Sequence, residues 1–388
     1  MALPTSVTVA RGTANANSED VRIREVAPII KELEPDEAQL STLLMSIDGR
    51  AKRVANPKVE WIEDEHLPKE TTLGADATSG AATLNLVDWQ FVRKNDVLKI
   101  NNQEQVLVTA TPTTSTVSVS RNFGTSGAKA ASSGAYVLIL GDANEENSAK
   151  RDLLSVRKSV KSNFLQIMRT NIGLTQTAIN SDFYGGSDWN YQKRKAAVEH
   201  KRKADRQFIH GEKYEDSSGS QYRHITGGVL NFIATFVKDA GGDLTEPELE
   251  DFLRSGFRFG SADKVALCSP KAITVINSFG RDKVRTTPET KKYGITIGEY
   301  FSAGRNVRLV EHKQLTHDNL DDFNGLAGYM IVLDLQDVEL CYMGGAMVEY
   351  QDDIQTPGTH GKEADYVSQW GIRLFQERKH MLVKGIQA

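Results

Sequence analysis

The stretch Trp189–Gly211, WNYQKRKAAVEHKRKADRQFIHG, constrains this chain more than any other. Lys, Arg, Ala, Glu and Gln dominate it, all strong helix formers, so it predicts a continuous helix over 189–210. Ser187 and Asp188 offer capping oxygens ahead of it, and Gly211 offers a terminator behind it. At the rise of an α-helix it is about 30 Å long. Trp189, Ala196, Ala197, His200, Ala204 and Phe208 recur at helical spacing as an apolar stripe, interrupted by Lys193. Lys195, Arg202 and Arg206 form a basic stripe on another side, with Glu199 between them and Lys203 beside them. Two readings stand: a solvated helix with one buried edge, or a strut whose basic side faces a polyanion.

The composition narrows the setting. With 388 residues, 39% apolar and 25% charged, the chain has ordinary globular usage and room for two or three domains. A formal charge of −4 excludes a generally basic nucleic-acid binder, so any such contact must come from a local patch. Cys268 and Cys341 are too few for a disulfide framework and suit a reducing cytosol. The N-terminus, MALPTSVTVARG, has no apolar core of secretory-signal length. Apolar runs such as Tyr136–Leu140 and Tyr329–Leu333 are of strand length, far too short to span a membrane.

Read in order, residues 1–25 are polar and arm-like. Leu40, Leu43, Leu44 and Ile47 then predict a short amphipathic helix that Gly49 ends. The alternation over Pro57–Ile62 predicts a strand, followed by the acidic run Glu63–Glu65. From Thr71 to Gly141 the chain is rich in Thr, Ser, Ala and Gly. Candidate strands at 84–86, 97–100, 106–108, 117–119 and 136–140 predict an inserted small barrel or sandwich. Asn147–Ile179 reads as an extended arm, and Glu212–Arg223 as a polar loop. After Gly227–Gly228 an α/β unit is expected. Thr245–Glu248 has capping-box spacing before a helix that buries Leu249, Phe252 and Leu253 and stops at Gly256. Val265–Cys268 is a strand, and Ser269–Pro270 opens a helix with Ile273, Ile276 and Phe279 inward, stopped by Gly280. Asn306–Val310, Gly328–Leu333 and Val338–Tyr342 are further strands. Tyr366–Phe375 and Met381–Val383 form a closing strand pair.

Chemistry-bearing patterns are sparse. Gly124–Lys129, GTSGAK, lacks the Lys-Ser/Thr ending of a phosphate loop and reads as a turn. His312, His317 and Asp318 lack ligands at zinc-like spacing and read as a surface loop. Cys268 precedes a helix start, but its apolar neighbours argue for a buried, inert thiol. The adjacent pairs Asp352–Asp353 and Asp321–Asp322 are poor acid/base couples, because adjacent side chains on an extended chain point apart. No G-x-S-x-G elbow occurs. The expectation is a non-enzymatic protein without catalytic, cofactor or metal residues.

The order of parts is polar arm, short helix, β excursion, return arm, long basic helix, double-glycine junction, α/β unit and C-terminal strand pair. Local motifs run along it. They are Pro57–Asp64 (PKVEWIED), Asn95–Asp96, Glu104–Val106, Val119–Thr125 (VSRNFGT), Glu146–Ser148, Phe164–Ile167, Arg206–Gly211, Thr226–Gly228 and Gln369–Met381. Together they resemble the major capsid proteins of tailed phages, in the branch typified by short-tailed podoviruses with elongated heads. Asn95 stands where that branch has Gly, and Gln103 precedes Glu104 in place of Gly.

The resemblance implies an α+β fold, the tailed-phage major capsid fold, with a small β-barrel-like insertion. Residues 1–56 would be the N-terminal arm and short helix, the arm lying on a neighbour. Residues 57–180 would be the extended loop, with the β insertion at about 72–141. Residues 181–228 would hold the peripheral domain, with its spine helix at 189–210. Residues 229–345 would be mainly the axial domain, and 346–388 would return to the peripheral domain. Gly227 and Gly228 would mark a domain junction. Lys195, Arg202, Lys203 and Arg206 would face packaged DNA or a neighbouring subunit.

The implied product is a homo-oligomer of hexamers and pentamers, an icosahedral or elongated head around double-stranded DNA, assembled in the host cytoplasm. Scaffolding, portal and decoration proteins are the implied partners. The short arm ahead of the fold points to a scaffold supplied as a separate protein. Rival readings are an encapsulin-like compartment shell, a decoration or tail protein, and an enzyme with an α/β catalytic domain. A cargo enzyme in purified particles would favour the first, and turnover by a persistent monomer would favour the last.

Overall fold

The computed structural model describes residues 39–46, 49–148, 150–181, 187–279, 284–285, 291–292, 295–302, 305–315 and 328–387. The polar arm, Ile47, Gly280, His317, Asp318 and Asp321–Asp322 lie outside these residues. The chain divides into two compact units, one of Met1–Trp61 with Ser162–Ala388 and one of Ile62–Lys161.

The first unit begins with α1 (Gln39–Ser46), in which Leu40, Leu43 and Leu44 are buried. Gly49 follows with a φ of +78°, a conformation that carries little steric cost only without a Cβ. After β1 (Ala51–Arg53), strand β2 (Lys58–Glu63) alternates as its sequence does. Val59 and Trp61 point inward, and Trp61 meets Phe232 and Phe375 edge-on, each at 6.0 Å between centroids.

The second unit is the β module. Its strands are β3 (Glu70–Thr72), β4 (Thr83–Asn85), β5 (Asp96–Ile100), β6 (Glu104–Val108), β7 (Thr116–Ser120) and β8 (Tyr136–Asp142). They form a six-stranded antiparallel sheet in the order β3-β8-β5-β6-β7-β4. The two ends of that order meet through a bridge between Leu73 and Leu86, with Gly74 N–H bonded to Asn85 O at 2.9 Å and Val87 N–H to Thr72 O at 3.1 Å. Closure turns the sheet into a small barrel and satisfies its edges. Inward positions are filled by Leu, Ile and Val, including Leu84, Leu98, Val106, Val117 and Val137.

Asn101 and Asn102, between β5 and β6, both take positive φ, as a tight hairpin turn requires. The glycine-rich tract is indeed a turn, and Glu104 organises it. Its carboxylate accepts from Arg121 Nε at 2.7 Å, from Lys129 N–H at 2.9 Å and from Asn122 N–H at 3.2 Å.

The chain returns through β9 (Ser159–Phe164), which pairs with β2. The expected return arm contains β10 (Gln166–Thr175), paired along its full length with a C-terminal strand, from Gln166↔Trp370 to Thr175↔Gly361. Its alternation was masked in sequence by an apolar residue at an exposed position, Ile167, and a polar one at a buried position, Thr170. Next come α2 (Gln176–Ile179), α3 (Asp188–His210), β11 (Tyr214–Asp216), β12 (Arg223–Ile225) and α4 (Val229–Phe232). The expected polar loop therefore includes one arm of a β11–β12 hairpin.

The α/β region runs β13 (Val237–Asp243), α5 (Glu246–Gly256), β14 (Asp263–Cys268), α6 (Pro270–Ser278), β15 (Val284–Arg285), β16 (Lys291–Lys292), β17 (Ile295–Ser302), β18 (Arg305–Glu311) and β19 (Met330–Leu333). Glu248 accepts from the Thr245 N–H at 3.2 Å, and the Ser269 hydroxyl accepts from Ala272 N–H at 3.1 Å. Both helix starts follow their sequence signals. The chain ends with β20 (Val338–Tyr342), β21 (Glu349–Gln351), β22 (Gly361–Leu374) and β23 (Met381–Gln387).

Two sheets dominate this unit among the described residues. The five-stranded one has the order β1-β20-β22-β10, with β21 beside β22. The eight-stranded one has the order β13-β23-β19-β14-β18-β17-β15, with β16 beside β17. Segment boundaries and sheet membership differ. β20 lies within 229–345 but joins the five-stranded sheet. β23 lies within 346–388 but joins the eight-stranded one, between β13 and β19.

The central strands β14 and β19 of the eight-stranded sheet are buried on both faces. Val265 and Leu267 of β14 enter one apolar cluster with Ile331, Leu333 and Leu382. Ala266 and Cys268 enter another with Met330, Val332, Met381 and Val383. The period of two along each strand makes this division.

Candidate interface on the long helix

Helix α3 is held by what lies under its apolar stripe. Ala196, His200, Ala204 and Phe208 are buried, joined by Asp205 and Ile209 toward the C-terminal end. Phe208 and His200 pack on Trp370 of β22, at 5.5 and 5.9 Å between ring centroids. The His200 ring is bracketed by Thr170 Oγ1 at 3.0 Å and Ser368 Oγ at 2.8 Å. Burial, aided by the Lys203 ammonium, holds this imidazole below its usual pKa. Lys193, which interrupts the stripe, sits 3.8 Å from the centroid of the Tyr350 ring, so its charge is used in a cation–π contact.

The helix ends depart from the sequence expectation. Ser187 occupies the N-cap position but makes no side-chain cap bond, and Asp188 lies within the first turn. Gly211 closes the helix at a φ of −59°, so it is not a left-handed terminator. A Cβ there would fall 2.4 Å from Thr226 O and 2.5 Å from Gln207 O. Gly228 is equally constrained, with a Cβ position 2.6 Å from Ile209 O, and its N–H donates to Gly211 O at 2.7 Å. Gly227 is held by Asn163, whose Oδ1 accepts from Gly227 N–H at 2.8 Å and whose Nδ2 donates to Gly227 O at 3.0 Å. Asn163 Nδ2 also donates to Ile372 O at 2.7 Å. The double glycine lets the backbone cross the end of α3 at close range.

The basic stripe splits into different environments. Lys195 is exposed, with Glu199 at 4.0 Å along the helix. Arg202 is half-buried. Lys203 is exposed and donates to Thr170 Oγ1 at 3.1 Å. Arg206 is exposed and lines a groove of 530 Å³ between α3 and β10, with Ile167, Met168, Arg169, Lys203 and His210. Arg169 reaches back to Asp365, which is fully buried and also accepts from Thr170 N–H at 3.1 Å.

Sequence reading missed several of these residues. Asp205, hidden in the charge run, is fully buried. It accepts from Ser41 N–H at 2.6 Å and lies 2.7 Å from His312 Nε2. His312 is therefore not in a surface loop; it is fully buried at the end of β18, where the chain closes over α3. Arg169, Asp365 and Asn163 carried no motif. The pair Asp352–Asp353 is also not merely solvated, since both carboxylates approach Lys362, at 2.9 and 3.5 Å. Among the described residues no group of three His, Cys, Asp or Glu side chains is placed to hold a metal ion. Both cysteines are buried and free; burial pushes the Cys341 thiol up to about 11 and raises Cys268 further. No helix among the described residues is long and apolar enough to cross a membrane.

Comparison with known proteins gives these features a context. The SU10 major capsid protein family matches residues 6–387. A major capsid protein of Pseudomonas phage PaMx41 is 21% identical over 300 residues, covering 70% of each chain. The capsid of an empty GTA particle is similar in fold, with a TM-score of 0.52 and 9% identity, over 99% of this chain and all of that one. The holo-SrpI encapsulin of Synechococcus elongatus PCC 7942 aligns over 59% of this chain and 76% of its own, with a TM-score of 0.42 and 13% identity. The chain belongs to the SU10 major capsid protein family and is a structural, major head protein of a phage virion.

Proposed function

We propose that this chain is the repeating subunit of a closed phage head, assembling as hexamers and pentamers of an icosahedral or elongated shell around double-stranded DNA. The observation that supports this reading is the family match over residues 6–387, in a fold similar to an entire capsid subunit. In it, residues 1–56 are the arm laid on a neighbour, 57–180 the extended loop with its β module, 229–345 mainly the axial domain, and the remainder the peripheral domain. Shell assembly needs large interfaces divided among several neighbours, and arms and loops supply them. The stripe Lys195, Arg202, Lys203 and Arg206 serves either packaged DNA through non-specific electrostatics or the carboxylates of an adjoining subunit. Scaffolding, portal and decoration proteins are the further partners, and assembly takes place in the host cytoplasm.

The test is expression of the full chain alone and with candidate scaffolding proteins, followed by sedimentation and negative-stain microscopy. Shells of uniform curvature are expected. Monomers under every condition would overturn the reading.

A further inference from the structure

The β11–β12 hairpin is a sheet of two strands, and a pair of strands is marginal in water unless something packs on it. Residues opposite each other on an antiparallel ladder share a face, so the register divides the hairpin into two faces. One carries Glu215 and His224 and is used within the chain. The His224 ring stacks on Phe164 at 5.0 Å between centroids, and Tyr222 stacks on His224 at 6.3 Å. The other face carries Tyr214 opposite Ile225 and Asp216 opposite Arg223. Tyr214 is 58% and Ile225 37% accessible, and Arg223 is exposed beside them. The Asp216 carboxylate is fixed by Ser218, whose N–H and hydroxyl donate to Oδ1 at 2.9 and 2.6 Å.

This outer face is self-complementary. Each rung joins unlike residues, an aromatic with an aliphatic and an acid with a base. A two-fold axis parallel to the strands keeps every rung at its own level and exchanges its two ends. Two copies related in this way set Tyr214 on Ile225 of the other copy and Asp216 against Arg223 of the other copy, on both sides of the axis at once. A polyanion would meet the fixed Asp216 carboxylate and gain nothing from the apolar rung. Open apolar side chains flanked by matched opposite charges fit a protein surface. We propose that the outer face of the β11–β12 hairpin is a two-fold contact between copies of this chain, each hairpin covering the other. The proposal rests on the shell reading, since it needs copies to meet, and it names a contact separate from the arm, the extended loop and the basic stripe of α3.

A mixed-charge assembly tests it in the full chain, scored by particle yield in sedimentation and microscopy. Asp216→Arg alone sets base against base across the axis, and Arg223→Asp alone sets acid against acid. Each is expected to lower yield about tenfold or more. Co-expression of the two variant chains is expected to raise yield severalfold over either alone, because unlike charges then meet between copies while the pair within each chain stays broken. A thiol at the hairpin tip tests contact independently of charge. Ser217 is exposed, and Cys268 and Cys341 are buried, so Ser217→Cys supplies the accessible thiol without altering the outer face. A bis-maleimide reaching about 10 Å, the spacing of packed sheets, is expected to link chains of such particles in pairs and in nothing larger, since a two-fold contact has one partner. Should the charge variants fail to fold, the tip thiol still decides. Wild-type yield from both single variants, no rescue on mixing, or particles that give no linked pairs overturns the proposal. So does a ladder of three or more linked chains, which would place the hairpin at another symmetry axis. Failure of the unmodified chain to assemble would instead count against the shell reading itself.

Discussion

Asp205 of the long helix and His312 at the end of β18 lie 2.7 Å apart, Oδ2 to Nε2, both with no solvent exposure. The other carboxylate oxygen accepts from Ser41 N–H in the first turn of α1, where backbone donors lack helical partners. One carboxylate thus ties together α1, α3 and the end of a strand in the eight-stranded sheet. Asp205→Ala leaves two buried groups, the Ser41 N–H and the His312 ring, without this hydrogen-bond partner, at about 1–3 kcal/mol each. Asp205→Ala is expected to lose that much in urea unfolding of the unassembled chain. A change below 1 kcal/mol would show that the pair does not hold these elements.

The β module should be acid-sensitive through Glu104. Burial works to raise its carboxyl, and the hydrogen bonds from Arg121, Lys129 and Asn122 outweigh it, holding the group below 4.5. A depressed carboxyl pKa gives stability that is present above about 4.5 and is lost as pH falls below it. Glu104→Gln is expected to flatten that acid limb and lower stability at neutral pH. Circular dichroism melts between pH 3 and 7 measure it, and an unchanged acid limb would refute the assignment.

His380 sets a second, higher window. It is fully buried, its Nδ1 accepts from Asp334 N–H at 3.2 Å, and Phe375 O lies 3.3 Å from Nε2. That arrangement uses a neutral ring. Burial lowers its pKa from 6.5 to about 4. Between these values the unfolded chain binds the proton and the folded chain does not, so stability is full above pH 6.5 and falls toward pH 4. The contribution is about 3 kcal/mol. NMR titration of the ring should show it neutral at pH 5; a protonated ring there would contradict this.

Glycines in this chain differ by their surroundings. Gly228→Ala would place a Cβ 2.6 Å from the Ile209 carbonyl oxygen, a backbone atom that cannot step aside. Overpacking of this kind costs about 1–3 kcal/mol or more. Gly80 has nothing within 4 Å of its Cβ position and no positive φ, so Gly80→Ala is expected to be neutral. Thermal melts of the two variants should separate them by several degrees.

Much of this protein was legible in the chain. The helix at 189–210, the short helix before Gly49, the Thr245 and Ser269 helix starts and the asparagine turn of the module all obey rules that act over a few residues. Strands at even spacing predicted a small barrel or sandwich, the Leu73–Leu86 bridge decided for the closed barrel, and the order of parts carried the family. The tertiary structure alone decided which sheet β20 and β23 join, that β10 is a ten-residue strand, and that Asp205, His312 and Asp365 are buried partners. It also brought Ile167, Arg169 and Arg206 to one groove. Period, capping and turn preference are local and are written into neighbouring residues. Strand partnership and the pairing of buried charges join residues more than a hundred positions apart, such as Asp205 with His312 and Ser41. They exist only once the chain has closed on itself.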